Sequence, residues 1–318
     1  MAEARKHEKY DALIRACQTL APMRTAVVHP CDDSSLAAAL EAAAARLIEP
    51  ILVGPRSRIA AVAAALHRDL NGWQIVDTPH SHASAEKAIQ IVRAGQANAL
   101  MKGSLHTDEL MAEVVRKDSG IRTARRISHV FIMDVPTYPK PLFITDAAVN
   151  ILPDLEDKAD IVRNAIDLAH ALGIERPKVA ILSAVETVTS KIPSTIDAAA
   201  LCTRAARRQI SGALLAGPLA LDNAIDREAA AVKHITSAVA GDADILVVPD
   251  MEAGNLLAKE LSFLANADAA GIVLGARVPI ILTSRADNLR TRMASCAVAA
   301  IYAHAQAAAT FNLGKLAE

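Results

Sequence analysis

The feature that most constrains the fold is an alternation repeated along nearly the whole chain. Short β-rich runs, RTAVVHP, EPILVG, WQIVDTP and ANALMKG, are separated by Ala- and Leu-rich stretches with helical periodicity, DSSLAAALEAAAARL, SRIAAVAAALHRDL and SAEKAIQIVRAG. Strand, helix and strand in succession place a crossover helix between parallel strands, which is the α/β class. Polar residues at Asp33 or Ser34, at Ser57 and at Ser84 stand where the first turn of each helix needs acceptors for its free N–H groups.

A second series of the same kind follows two prolines at 139 and 141. It runs from PLFITDAAVNILPDLEDK through the helix ADIVRNAIDLAHALG and the strand KVAILSAV. Next come STIDAAALCTRAARRQ as helix, GALLAGPLAL extended, EAAAVKHITSAVAG as helix, ADILVVPD extended and NLLAKELSFLAN as helix. GIVLGARVPIILTSR is extended, as one or two strands, and a long last helix occupies roughly 288–309. A chain of 318 residues with two such series is expected to form two α/β domains. The expected bounds are 1–145 plus 288–318 for the first domain and 146–287 for the second.

Composition narrows the function. Hydrophobic residues make up 52% and aromatics 3%, so the cores are built from Ala, Val, Leu and Ile. A net charge of −1 argues against a general nucleic-acid or anionic-membrane binder, which needs a concentrated basic surface. Cys17, Cys31, Cys202 and Cys296 are scattered without C-x-x-C spacing, which fits reduced thiols in a reducing cytosol. The amino terminus MAEARKHEKYDALIRACQTL reads as an amphipathic first helix rather than a signal peptide, and no apolar run is long enough to span a membrane. The expectation is a cytoplasmic enzyme.

In doubly wound sheets the ligand lies beyond the carboxyl ends of the strands, so polar residues directly after apolar runs are the places to search. Four junctions stand out: MKGSLHT (101–107), AGPLALDNAI (216–225), VVPDMEAGNLLAKEL (247–261) and LTSRADN (282–288). At the first, Gly103 allows close backbone approach, Lys102 supplies positive charge, and His106 and Thr107 open a helix whose N–H groups suit an anion. A strand end and a capped helix would look the same. In the second, Asp222 can cap a helix with Asn223 in its first turn. In the third, Asn255 and Lys259 are four apart and share a helix face. LTSRADN is the sharpest. The Arg285 guanidinium offers paired donors to a phosphate or carboxylate, Ser284 can donate to the same oxyanion, and Asp287 can carry a proton or cap the following helix. His80 and His82 beside Glu86 lack a complete metal-ligand set, and Arg122, Arg125 and Arg126 read as a solvated basic loop or as a cluster able to reach ligand phosphates.

Taken in order, these motifs resemble the phosphate acetyltransferase/phosphate butyryltransferase family. Its members carry a GP-x-A-x-DNA-type turn, a GN-x-x-x-K helix start and a terminal SR pair, and the likeness covers about the last two-thirds of the chain. GPLALDNAI and PIILTSRAD look closer to the butyryl branch. The resemblance implies reversible transfer of an acyl group from acetyl-CoA or butyryl-CoA to inorganic phosphate, with coenzyme A as substrate and product and no metal or other cofactor. It also implies two doubly wound α/β domains around a cleft, in a fold like that of isocitrate and isopropylmalate dehydrogenases. A homodimer and a C-terminal helix returning to the first domain are part of the same expectation.

Carried over by motif, Ser284 and Arg285 fall at the phosphate and thioester end of the cleft. Asp287 is the nearest match to an aspartate that follows the pair in the acetyl branch, at a shorter spacing. Gly103, His106 and Thr107 match part of an anion-binding turn. Glu113 stands about where the acetyl branch has a basic residue, leaving Lys102 or Arg116 to compensate. Asn255 and Lys259 match the GN-x-x-x-K motif. Two other classes stay in view: a non-catalytic acyl-CoA-binding paralogue, and a metal- and NAD-dependent hydroxy-acid dehydrogenase of the related fold. The latter is opposed by the missing G-x-G-x-x-G fingerprint after any strand.

Overall fold

The computed structural model describes residues 8–283 and 287–315, with side chains from 9 to 309. In chain order the elements are α1 (Glu8–Gln18), β1 (Met23–Val28), α2 (Asp33–Ala44), β2 (Ile48–Gly54), α3 (Arg56–Ala65), β3 (Gln74–Asp77), α4 (Ser81–Arg93), β4 (Ala99–Lys102) and α5 (Thr107–Val114). Then come β5 (Ser128–Asp134), β6 (Leu142–Thr145), α6 (Leu155–Ala171), β7 (Lys178–Leu182), α7 (Pro193–Ala206), β8 (Leu214–Leu219), α8 (Leu221–Ile225), α9 (Arg227–Val232), β9 (Ile245–Val247) and α10 (Met251–Phe263). The chain closes with β10 (Asp268–Leu274), β11 (Ile280–Ile281) and α11 (Leu289–Lys315).

These elements form two compact units. One comprises Lys6–Arg125 and Ala270–Glu318, the other Arg126–Ala269. The unit boundary lies upstream of 145/146 because β6 pairs with both β5 and β9 and belongs with them. Likewise β10 and β11 precede the expected return at 288, since β11 pairs with β4.

In the 6–125/270–318 unit the strand order is β3-β2-β1-β4-β11-β10. β1 is parallel to β2 and β4, and every β1 residue except Arg24 is buried. Helices covering both faces of the sheet account for that near-continuous apolar run. Ala38, Ala39 and Ala42 of α2 and Ala297, Ala299 and Ala300 of α11 are buried, so small side chains let these helices approach closely. α11 packs on α1 and α2, where the Cys17 thiol donates to the Ala297 carbonyl at 3.1 Å and Arg290 lies 5.4 Å from the Tyr10 ring centre.

The 126–269 unit has the order β5-β6-β9-β7-β8 around a core that includes Met133, Leu142, Ile144, Leu182, Leu219 and Leu246. Two pairs depart from the all-parallel expectation: β5 with β6, and β10 with β11, are antiparallel. Their connections of a few residues are too short for a crossover helix. The helix expected over EAAAVKHITSAVAG stops at Val232, where His234 takes a positive φ of 55°. The caps also shift. Asp32 caps α2 and His80 caps α4, in place of Asp33 or Ser34 and Ser84, while α3 starts at Pro55 with no side-chain cap.

At the amino ends of β6, β7 and β9 an ion network secures the second unit. Lys140 reaches Asp242 at 3.0 Å and Asp244 at 2.6 Å, and Lys178 reaches Asp242 at 2.5 Å. Burial opposes ionisation of Asp242, but Lys178 and Lys140 outweigh it and hold the carboxyl at about 2. A depressed carboxylate stabilises the fold fully above its unfolded value of about 4 and loses that contribution as pH falls toward its folded value. Asp242→Asn should cost about 1–3 kcal/mol at neutral pH. In urea melts across pH, the gap to wild type should close between about pH 4 and 2.

Candidate functional site

The order β3-β2-β1-β4 runs outward in both directions from β1, which makes the gap between β1 and β4 the switch point where a doubly wound sheet opens a crevice at its carboxyl edge. Val28 pairs with Lys102, and on the other side Ile281 pairs with Met101. Continuing the first register by one residue and the second by two sets His29, Gly103 and Thr283 in one row just past the strand ends.

Gly103 is the tightest point of that row. A Cβ there would lie 2.3 Å from the Val28 carbonyl oxygen and 2.6 Å from that of His29. Both are backbone atoms, so no side-chain rotation relieves the contact. The Gly103 N–H donates to Val28 at 2.9 Å, and Ser104 donates to the His29 carbonyl at 2.9 Å from both its N–H and its hydroxyl. Lys102 ends β4 with 6% of its surface exposed, its ammonium donating to the Gly103 carbonyl at 3.3 Å. His106 precedes α5 without a side-chain cap, and Thr107 opens the helix followed by Asp108 and Glu109 in its first turn. Those two carboxylates weaken the positive field of the helix start, so an anion at this edge would depend on Lys102 as well.

Ser284 and Arg285 lie outside the described residues. The segment on either side of them is anchored firmly. Thr283 is 6% exposed, and its hydroxyl is buried with no hydrogen-bond partner among the described residues. Beyond, Asn288 caps α11 by accepting from the Thr291 N–H at 2.9 Å, so the capping alternative for Asp287 passes to its neighbour. The Asp287 carbonyl accepts from Arg292 Nε at 3.2 Å. The Arg292 guanidinium, 5% exposed, also donates to the Ser34 carbonyl at 3.5 Å and hydroxyl at 3.4 Å. Asp32 caps α2 alongside, with burial opposing its charge and bonds from Ser35 and Ser34 together with Arg292 holding it below the ordinary carboxylate range.

Asn255 and Lys259 lie in the other unit, on α10. Asn255 donates to the Ala147 carbonyl at 3.2 Å, and Lys259 is exposed. Gly254 lets α10 approach β6, since a Cβ there would be 2.7 Å from a Val248 methyl and 2.9 Å from the Ala147 Cβ. In GPLALDNAI, Ala220 rather than Asp222 stands at the helix cap, and Asn223 is buried. Asn223 Nδ2 donates to Glu186, which also pairs with Lys233 at 2.6 Å. The Lys233 bond, above all, holds the Glu186 carboxyl below its usual range.

The basic candidates resolve differently. Arg116 pairs with Glu113 at 2.9 Å, which uses it locally rather than as a replacement for a basic helix residue. Arg126 donates to Asn150 at 2.8 Å and meets Asp157 at 3.3 Å, yet its side chain stays exposed. His80 caps α4, and His82 lies 3.8 Å from Glu109. Among the described residues no cluster of His, Cys, Asp or Glu is arranged to hold a metal ion.

His29, Cys31, Asp32, Thr283 and Arg292 were not singled out by the sequence. The rule that found MKGSLHT applies equally to RTAVVHPCDDS, where polar residues and a thiol follow an apolar run directly. His29 Nδ1 lies 3.1 Å from the Ser84 hydroxyl, and burial followed by the charge of Arg58 holds the imidazole below its ordinary value. Burial, the larger influence, pushes the Cys31 thiol up, so it is a poor nucleophile.

The sequence model of the family described as Phosphate acetyl/butaryl transferase matches residues 81–300. The chain is 65% identical over 301 residues to a phosphate acetyltransferase of Rhizobium meliloti, covering 95% of each. It is 39% identical over 296 residues to a phosphate butyryltransferase of Clostridium acetobutylicum, covering 93% of this chain and 98% of that one. A branched-chain phosphotransacylase structure from Enterococcus faecalis V583 superposes with a TM-score of 0.76 at 30% identity, covering 89% of this chain and 99% of that chain.

Gly103→Ala should destabilise the 6–125/270–318 unit by at least about 1–3 kcal/mol, because the added methyl meets fixed carbonyls. Thermal melting and acyl transfer measured together should both fall, and an unchanged melting temperature would contradict the close contact.

Proposed function

Because the chain belongs to the Phosphate acetyl/butaryl transferase family, it is a phosphate acyltransferase, and we propose that acetyl-CoA is the thioester it converts with inorganic phosphate. The observation that carries this choice is the 65% identity to a phosphate acetyltransferase against 39% to a phosphate butyryltransferase. Identity over nearly the whole chain outweighs the butyryl-like look of two short motifs. Neither the dehydrogenase nor the non-catalytic reading is favoured by these relatives.

In this reading a phosphate oxygen attacks the thioester carbonyl, the carbon passes through a tetrahedral oxyanion, and the C–S bond breaks to release coenzyme A as a thiolate that then takes a proton. Phosphate is already anionic at neutral pH, so its main need is position. Fixed donors aimed at the developing oxyanion supply the largest share of acceleration. We assign those roles to Ser284 and Arg285, with Lys102, Gly103, His106 and Thr107 at the anion-binding edge. Asp287 serves as the proton carrier for the leaving sulfur. Asn255 and Lys259 keep only the substrate-binding role that the GN-x-x-x-K motif implies.

Coenzyme A is substrate and product here, and the chemistry calls for no resident cofactor. A homodimer working in the cytoplasm is part of the proposal; among the described residues no helix is long and apolar enough to cross a membrane.

Thiol release should be followed with acetyl-, propionyl- and butyryl-CoA, with and without phosphate. Release should require phosphate and be fastest with acetyl-CoA. A higher kcat/KM for butyryl-CoA would overturn the acyl assignment, and phosphate-independent release would overturn the transfer. Arg285→Ala should lower turnover by roughly 100-fold or more with little change in melting temperature, and near-wild-type kinetics would remove Arg285 from the site.

A further inference from the structure

Among the described residues around the β1–β4 switch point, several hydroxyl groups have protein partners. Ser104 donates to the His29 carbonyl at 2.9 Å, Thr78 and Ser84 share a bond of 2.8 Å, and Ser34 donates to Asp32 at 3.1 Å. Ser35 donates to the Asp32 carbonyl at 3.2 Å. Thr283 is the exception: its hydroxyl is buried and has no partner among the described residues. A buried polar atom left unpaired costs stability, and valine would fill the same space without that cost. Something other than the fold therefore accounts for oxygen at this position.

Its place in the sheet says what that is. Thr283 follows β11, whose Ile281 pairs with Met101, and continuing that register by two residues sets it level with Gly103. It immediately precedes Ser284 and Arg285 in the chain. The row therefore brings together a backbone position that a side chain could not share with its neighbours and, among the described residues, a buried hydroxyl that no protein group satisfies.

We infer that the Thr283 hydroxyl contacts the substrate, donating its proton to an oxygen of the attacking phosphate. The inference rests on the phosphate acyltransferase reading and adds a residue to it. A hydroxyl suits this task because its proton can rotate to follow the oxygen as charge moves off the phosphate and onto the acyl group. Until substrate arrives the donor is unpaired, so binding satisfies a group that the free enzyme leaves wanting.

The test compares Thr283→Val, which keeps the shape and removes the hydroxyl, with Thr283→Ser, which keeps the hydroxyl. Kinetics with phosphate as the varied substrate and melting temperatures are measured on the full-length enzyme. Thr283→Val should melt at or above the wild-type temperature yet lose about 10- to 100-fold in kcat/KM for phosphate, the loss expected for one hydrogen bond to a charged group. KM for acyl-CoA should change less than about threefold, and Thr283→Ser should stay within about threefold of wild type throughout. Wild-type kinetics in Thr283→Val would overturn the inference, as would equal losses in both variants or a lowered melting temperature in Thr283→Val. If wild type shows no phosphate-dependent thiol release, the functional reading itself fails, a result distinct from each of these.

Discussion

A methyl group at residue 103 would meet two carbonyl oxygens of the neighbouring strand, and much of the 6–125/270–318 unit follows from that exclusion. With only hydrogen there, β4 ends hard against the turn after β1, the Gly103 N–H reaches Val28, and Ser104 fastens to His29 twice. These bonds fix the edge at which the strand order reverses. Lys102 is thereby buried at the crevice rather than extended into water, and α5 starts from a set position. On the far side of β4, the short pairing of β11 brings the end of its strand to the same level. The edge is rigid because its contacts are backbone to backbone, and such rigidity is what electrostatic stabilisation of a transient charge requires.

A second anchoring comes from Arg292. Its guanidinium joins the Asp287 carbonyl to Ser34 at the start of α2, so the segment that carries the Ser-Arg pair is tied at its far end to the first crossover helix. The arrangement is costly to build, since a guanidinium with so little exposure must have its hydrogen bonds met. The acid-capped start of α2 beside it supplies the balancing charge.

Much of this fold was legible in the sequence because its causes are local. Apolar runs of strand length between amphipathic stretches dictate β1 to β4 with α2 to α4, and the long last helix was visible from its periodicity. Strand direction was less legible. GIVLGARVPIILTSR reads equally as one strand or two, so the hairpin shows only once the break between β10 and β11 is located, and β5, in SHVFIMD, is masked by its polar ends. Caps moved by a few residues because Ser, Asp and His compete for the same N–H groups, and the winner depends on where the preceding strand stops. In the site, MKGSLHT was found by a strand-end rule, while Thr283 and Arg292 were not. A threonine before a Ser-Arg pair gives no sign of an unpaired hydroxyl, and an arginine in a helix reads as solvated until Ser34 and Asp287 are brought to it. Asn255 shows the opposite case: a motif residue whose amide already has a structural bond to Ala147.

The central claim is that phosphate and thioester meet at the carboxyl edge between β1 and β4. Hydrogen exchange of the full-length enzyme, free and with saturating phosphate and coenzyme A, tests this directly. Slowed exchange in peptides spanning 102–107 and 279–292 is the predicted result. Protection confined to other segments, with those two unchanged, would contradict the account.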